Sequence, residues 1–453
     1  MSLPRYPKYK DSGVAWLGEV PEHWAVVPLK RNYEVCLGKM LQNDASGEED
    51  VLLPYLRAAN VQWGSVDITD VKLMWLSPRD QRQLRLKTND LLVSEGGDVG
   101  RSAIWRGEFD ECYIQNSVNR VRGKGGSSTK FLFYWMATIK SKGYVDVLCN
   151  KSTIAHFTAE KVAEVPVPFP SEQEQSAIAA FLDRETGKID TLIAEQERLL
   201  ALLAEKRQAT ISHAVTKGLN PDVPMKDSEV EWLGKVPVRW KVTAVKRLAK
   251  TGTKTFIDGD WIESPYITNE GIRLIQTGNV GIGYYKEQGF RYVSEEAFSQ
   301  LGCTEVKPHD VLICRLDGPV GRACLAPDLG VRAITSVDNA ILKCAEEVMP
   351  EFVVYLFSSL PWISWIDVLC RVGGGFRLRI SRSQLGELRI PLPPLEEQFV
   401  IVTSLYGEIA RLDALTVEAT RAIELLKERR TALISAAVTG KIDVRVQVEP
   451  EAA

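Results

Sequence analysis

At 453 residues, with 45% hydrophobic and 25% charged residues, 33 glycines and 22 prolines, the chain has the composition of an ordinary globular protein of about three domains. A net charge of −3 and a sequence pI near 6.0 exclude a uniformly basic nucleic-acid binder, although residues 72–130 hold eleven Lys/Arg against seven Asp/Glu and residues 371–389 hold five arginines against one glutamate. No apolar run approaches the ~18 residues of a membrane span, and the start MSLPRYPKYK lacks the apolar core of a secretory signal; eight cysteines without a CxxC pair, beside only four histidines, predict reduced thiols in a cytoplasmic protein and no histidine-built metal site.

In chain order, the first distinctive stretch is KDSGVAWLGEVPEHW (10–24), followed by YLRAANVQWG (55–64). A strand over Asp90–Ser94 lies inside KTNDLLVSEGGDVGRSA (87–103), and a helix from about Lys130 to Lys142 opens FLFYWMATIKSKGYVDVLC (131–149). A polar loop, NKSTIAHF (150–157), and a proline-rich exit, VPVPFPSEQEQ (165–175), then lead into about 45 residues without proline. The chain now repeats itself. KDSEVEWLGKVPVRW (226–240) matches the opening phrase at ten of fifteen positions, and LIQTGNVGIG (274–283) answers YLRAANVQWG. KPHDVLICRLDGPVGRA (307–323) carries a strand over Asp310–Cys314, and FVVYLFSSLPWISWIDVLC (352–370) a helix over about Glu351 to Ile366. RVGGGFRLRI (371–380) and the exit IPLPPLEEQ (390–398) close the second copy. The offset stays between 216 and 223. Two copies of roughly 220 residues are too few and too long for a solenoid, so a pseudo-symmetric pair is expected.

The proline-free segment of each copy carries a heptad seam: Ile178, Leu182, Ile189, Leu192, Leu199 and Leu203 in the first, Ile401, Leu405, Leu412, Leu415, Leu426 and Leu433 in the second. A sustained 3.5-residue period predicts two coiled-coil helices, each about 65 Å long at ~1.5 Å per residue. Polar residues interrupt both seams at matching places, Glu185 and Lys206 against Glu408 and Arg429. Antiparallel packing sets Glu185 against Arg429 and Lys206 against Glu408, whereas parallel packing opposes like charges; antiparallel pairing is therefore expected. The fold class is α+β: two mixed α/β domains separated by two long antiparallel coiled-coil helices, with pseudo-twofold symmetry. The expected boundaries are residues 1–168 and 223–391 for the domains, 169–222 and 392–446 for the helices, and a disordered tail over 447–453.

Catalytic motifs are missing. GGDVGRS (96–102) lacks the spacing and lysine of a phosphate loop and reads as a Gly-rich turn; GxGxxG, HExxH, GxSxG and an Asn-Pro-Pro-aromatic tetrad do not occur.

The phrases SGVAWLGEVPEHW and SEVEWLGKVPVRW, the two proline-rich exits, and the helix ends ISHAVTKGL and ISAAVTGKI, in this order around two heptad helices, resemble the DNA-specificity subunit of type I restriction–modification systems over nearly the whole chain. The resemblance implies two target-recognition domains that each read one half of a split double-stranded DNA site, with the helices setting their separation. It further implies docking of two methyltransferase subunits and, through them, of restriction/translocase subunits. S-adenosylmethionine, ATP and magnesium would belong to those partners, and this chain would be no enzyme. The competing readings are a coiled-coil adaptor with two protein-binding ends, or a DNA methyltransferase with unfamiliar motifs.

On the split-site reading, residues shared between copies serve as scaffold or phosphate contacts, and divergent polar loops read bases. Lys151, Ser152, Thr153 and His156 in the first copy, and Arg371, Arg377 and Arg379 in the second, are the leading candidates for DNA contact, arginine to guanine being the commonest specific pair; a solvated charged loop is the competing reading. Arg57 and Gln62, with Gln276 and Thr277, form a second candidate pair of loops. The shared Arg101 and Arg322 are read as phosphate contacts or structural salt bridges. Asn60 and Asn279 are turn caps rather than DNA contacts, and Trp16, Trp24, Trp232 and Trp240 are packing anchors.

Overall fold

The computed structural model describes residues 4–149, 156–372 and 378–445. The chain divides into two compact units, Met1–Glu197 with Arg421–Ala453, and Arg198–Thr420. Neither unit is a contiguous half of the chain: each takes one globular segment and a share of both long helices, which run Glu172–Lys217 and Leu395–Val438.

In the first unit a four-stranded antiparallel sheet is ordered Tyr33–Leu37, Val118–Gly123, Leu91–Ser94, Ser102–Ile104. A second sheet pairs Val51–Leu56 antiparallel with Lys72–Leu76 and parallel with Tyr113–Ile114. The second unit rebuilds this topology with Phe256–Asp258, Asn339–Leu342, Val311–Cys314 and Ala323–Leu325, and with Ile272–Ile275 parallel to Ala333–Thr335. The sheet strands Leu91–Ser94 and Val311–Cys314 are buried throughout, which is why they read as unbroken apolar runs rather than as alternation.

The helix expected near Lys130 spans Thr129–Ser141 and is capped by Ser128, whose side chain accepts from the Phe131 N–H. Its counterpart is not one helix but two, Pro350–Phe357 and Leu360–Val372. Pro361 supplies no N–H and disfavours helical geometry at the residue before it, so the chain turns at Ser358 and Ser359, whose hydroxyls donate to the carbonyls of Val354 and Leu356. Among the described residues no single helix is long and apolar enough to cross a membrane.

The repeated opening phrase has a structural purpose. Trp24 is fully buried in the first core together with Ile434, Ala437 and Val438 from the end of the second long helix. Trp240 is fully buried in the second core with Ile211, Ala214 and Val215 from the end of the first. Trp16 stacks on Trp135 with ring centroids 5.5 Å apart, and Trp232 meets Trp362 edge-on at 5.8 Å. All four tryptophans are packing anchors. Each phrase closes the junction where one long helix ends and the other begins, and the turn there needs glycine: Gly440 and Gly218 have φ of +70° and +80°, and a Cβ on Gly440 would lie 2.3 Å from Pro21.

Within each unit the long helices run antiparallel, but in a different register from the one the seam predicts. Arg430 Nε bonds Asp190 Oδ1 at 2.8 Å in the first unit, and Arg207 Nε bonds Asp413 Oδ1 at 3.3 Å in the second. In both, the paired residue numbers add to 620. Glu185 therefore stands opposite residue 435, about 9 Å along the helix from Arg429 at ~1.5 Å per residue, and it pairs instead with Arg184 and Lys188 of its own helix. Lys206, Glu408 and Arg429 are exposed. Ile178, Leu182, Ile189, Leu203, Ile401, Leu405 and Leu412 of the expected seam are buried, and Ile409 and Ile423 join them. Leu192, Leu199 and Leu415, expected in the seam, lie outside it at 45%, 40% and 45% exposure.

Candidate nucleic-acid interface

The candidate loops rest on two equivalent 3-10 turns, Ala58–Asn60 and Thr277–Asn279. Each turn is closed by its buried asparagine. Asn60 Oδ1 accepts from the Arg57 N–H at 3.0 Å, and its Nδ2 donates to the carbonyls of Asp67 and Asp70. Asn279 does the same with the Gln276 N–H at 2.8 Å and the carbonyls of Lys286 and Gln288. Both are turn caps, as their residue type predicts.

The shared arginines fasten these turns to the neighbouring loop. Arg322 is buried, and its guanidinium donates to the carbonyls of Val280 (2.7 Å), Asp317 (2.7 Å), Pro319 (3.0 Å) and Thr277 (2.9 Å). Arg101 Nη2 donates to the Ala58 carbonyl at 2.8 Å. Arg322 is thus a cross-brace on backbone carbonyls, a role beside the two read from the sequence. Arg101 makes the equivalent brace in the first unit.

The remaining candidates divide by what holds them. Arg57 pairs with Asp70, whose carboxyl Lys72 and Arg57 together hold below the ordinary range. Gln62 Nε2 donates to the Ala59 carbonyl at 2.8 Å, within its own turn. Gln276 and Thr277 are half-buried, and the Thr277 carbonyl is held by Arg322. His156 is exposed, with Nδ1 3.9 Å from Glu95 Oε1; burial raises the Glu95 carboxyl, and His156 opposes that rise. Arg371 is exposed and reaches Asp367 one turn back at 2.7 Å. Arg379 is exposed, with Nη2 3.2 Å from Asp338 Oδ1. Lys151, Ser152, Thr153 and Arg377 lie outside the described residues. His156 and Arg379 thus each face a carboxylate, Glu95 and Asp338 respectively.

The framework residues that sequence reasoning missed are in the exits. Gln175 and Gln398 are fully buried. Gln398 Nε2 donates to the Pro393 and Glu347 carbonyls at 2.9 and 3.0 Å, while Oε1 accepts from the Met349 N–H at 2.8 Å. Gln175 makes the matching bonds to the Pro170 carbonyl and the Ser128 N–H, at 3.0 and 2.9 Å. Beside them, Glu174 accepts from the Tyr6 hydroxyl at 2.7 Å and Glu397 from Trp240 Nε1 at 2.9 Å. The signal was in view: Glu-Gln recurs at the end of both exit motifs. Cysteines are core residues here, and burial pushes the thiols of Cys112, Cys324 and Cys344 up to about 12.

Residues 21–200 match the family model described as the type I restriction modification DNA specificity domain. A putative type I restriction enzyme MjaX specificity subunit from Methanocaldococcus jannaschii is 23% identical over 95% of this chain and 96% of its own length. The type I restriction enzyme EcoKI specificity subunit from Escherichia coli is 21% identical over 95% of this chain and 92% of its own. Among solved structures, a chain from work on complex assembly and conformational transition of the type I R-M system superposes with a TM-score of 0.71 at 16% identity, covering 92% of this chain and 98% of that one. The HsdS subunit from Thermoanaerobacter tengcongensis superposes at 0.56 with 18% identity, over 93% and 98%. The resemblance drawn from the repeated motifs is thus borne out by family model and relatives, and the α+β fold is shared with the solved HsdS subunit.

Proposed function

We propose that this chain is the DNA-reading subunit of a type I restriction–modification complex, in which each unit recognises one half of a bipartite duplex target. One observation carries the reading. The framework is built twice nearly residue for residue (Trp24 and Trp240, Asn60 and Asn279, Gln175 and Gln398, Arg101 and Arg322), while the sequences of segments 150–157 and 371–380 differ in length and chemistry. A rigid frame with interchangeable loops suits two different half-sites.

The same logic supports two equal protein docks. Leu192 and Leu415, and likewise Leu202 and Leu425, are exposed leucines at matching positions of the two long helices. Identical side chains in both copies fit two copies of one partner, the methyltransferase subunit, with restriction/translocase subunits joining through it. S-adenosylmethionine, ATP and magnesium are then held by those partners, and the complex works in the cytoplasm, where the DNA is. Mapping adenine methylation in a host that carries this chain together with a type I methyltransferase subunit of the same source tests the reading. One split motif, and a purified complex of one specificity subunit to two methyltransferases with steeply salt-dependent duplex affinity, are expected. Methylation by this chain alone, or salt-insensitive duplex affinity, would refute it.

A further inference from the structure

After the first sheet strand of each unit the chain makes the same tight passage. Gly38 and Gly259 approach the next turn so closely that a Cβ on either would lie 2.3 Å from a backbone oxygen, that of Gln115 or of Ser336. Only glycine fits. The following residue is pinned by two backbone bonds: Lys39 N–H to the Ile114 carbonyl (3.0 Å) and Asn116 N–H to the Lys39 carbonyl (2.9 Å) in the first unit. In the second, Asp260 N–H bonds the Thr335 carbonyl (2.8 Å) and Val337 N–H the Asp260 carbonyl (2.9 Å). The residue after that projects outward. It is Met40, 74% exposed, in one unit and Trp261, 69% exposed, in the other.

Single exposed apolar side chains are common and need no explanation. These two differ because a glycine passage and a pair of backbone bonds, built twice, hold each in place. The turn that pins Trp261 runs on into Asp338, the carboxylate that faces Arg379. The turn that pins Met40 runs on into Ser117, whose carbonyl accepts from the N–H of Glu95, the carboxylate facing His156. Trp261 therefore stands beside the turn that leads to the partner of Arg379, and Met40 beside the turn that holds the backbone of the partner of His156.

The difference between Met and Trp indicates the occupant. A surface that docks two copies of one protein keeps its side chain, as the leucine pairs on the long helices do. A surface that meets two different half-sites changes it. We propose that Met40 and Trp261 are base-contacting side chains, one for each half-site, whose apolar ends press against the bases. Methionine acts as a wedge between base steps and tryptophan as a stacking face. The proposal rests on the DNA-specificity reading above.

The experiment uses the full complex with its methyltransferase. Methylation mapping in the host first gives the wild-type motif, and a fluorescent duplex carrying that motif then serves as the binding probe. Trp261→Ala is expected to weaken probe binding about 10- to 100-fold and to relax the motif in one half only. Met40→Ala is expected to do so in the other half. Because an apolar contact releases no counterions, the slope of affinity against salt stays at the wild-type value. Trp261→Phe and Met40→Leu retain most of the affinity, and the melting temperature stays unchanged because both residues are exposed. A motif and affinity unchanged in both alanine variants overturn the proposal while leaving the specificity reading intact. Loss of methyltransferase from the complex in either variant also overturns it, since the side chain would then dock protein. A wild-type complex that marks no motif overturns the specificity reading, and this proposal with it.

Discussion

Replacing Gln398 with leucine tests whether the exit motif is a structural lock. The side chain is fully buried and makes three hydrogen bonds, to the Pro393 and Glu347 carbonyls and from the Met349 N–H, at 2.8–3.0 Å. Leucine is close to glutamine in volume, so the cavity contribution is small. The loss is polar. The Met349 N–H is left buried without a partner, which costs about 1–3 kcal/mol, and two carbonyls lose a donor at somewhat less each. The sum is about 3–5 kcal/mol, a large share of the ~5–15 kcal/mol that stabilises a typical domain. Met349 begins the helix Pro350–Phe357, so the damage should spread into the second core. Hydrogen exchange read by mass spectrometry should show faster exchange in Val311–Cys314 and Asn339–Leu342, with the first unit's strands unchanged. Gln175→Leu should give the mirror result, in Leu91–Ser94 and Val118–Gly123. A loss under ~1 kcal/mol, or equal loosening of both units by either variant, would refute the account.

Arg322→Ala should destabilise the second unit by about 2–4 kcal/mol, since four carbonyls lose a charged donor; if instead duplex binding loses one unit of salt slope with stability intact, Arg322 is a phosphate contact after all. A double-mutant cycle on Asp190 and Arg430 should return about 0.3–1 kcal/mol of coupling, as expected of a half-exposed pair, while the same cycle on Glu185 and Arg429 should return none; coupling only in the second would restore the register predicted from the seam. Removing one heptad from both helices, Ile189–Glu195 with Leu412–Glu418, shortens them by about 10 Å at ~1.5 Å per residue, and methylation mapping should then show a motif whose spacer is about three base pairs shorter, at ~3.4 Å each, or no motif. An unchanged spacer would show that the helices do not set it.

The repeat, the long helices, their antiparallel sense and the tryptophan anchors were all legible in the sequence, because each rests on a pattern that recurs: a phrase at fixed offset, a period of 3.5, a charge opposition. The register was not. Leucines at 192 and 199 stand next to Ile193 and Leu200, so two adjacent phases of the heptad look equally apolar, and only packing chooses between them. The brace at Arg322 was not legible either. An arginine after a glycine turn has the same letters whether it faces phosphate or backbone oxygen, and the carbonyls of Val280, Asp317 and Thr277 that hold it come from distant segments that only the fold brings together. The exits hid their most important residue in the same way, since Gln398 gains its meaning from Glu347 and Met349, about fifty positions upstream.

The opening phrase is written twice because each unit's core contains the end of a helix that starts in the other copy. Ile434, Ala437, Val438 and Val444 close the core around Trp24, near the beginning of the chain. The backbone agrees, with Asp443 N–H donating to the Pro4 carbonyl at 2.8 Å and the Tyr9 hydroxyl to the Gly440 carbonyl at 3.0 Å. A truncation before Ile434 should therefore injure the unit farthest from it in sequence. At ~1.5–3 kcal/mol for each large apolar side chain, losing Ile434, Val438 and Val444 removes about 5–9 kcal/mol from the first unit. The second unit keeps its own helix end, Ile211, Ala214 and Val215, untouched. Hydrogen exchange should then rise in Val118–Gly123 and stay slow in Val311–Cys314. The opposite outcome would mean that the phrase does not grip the helix end, and that the two copies are independent halves joined in tandem.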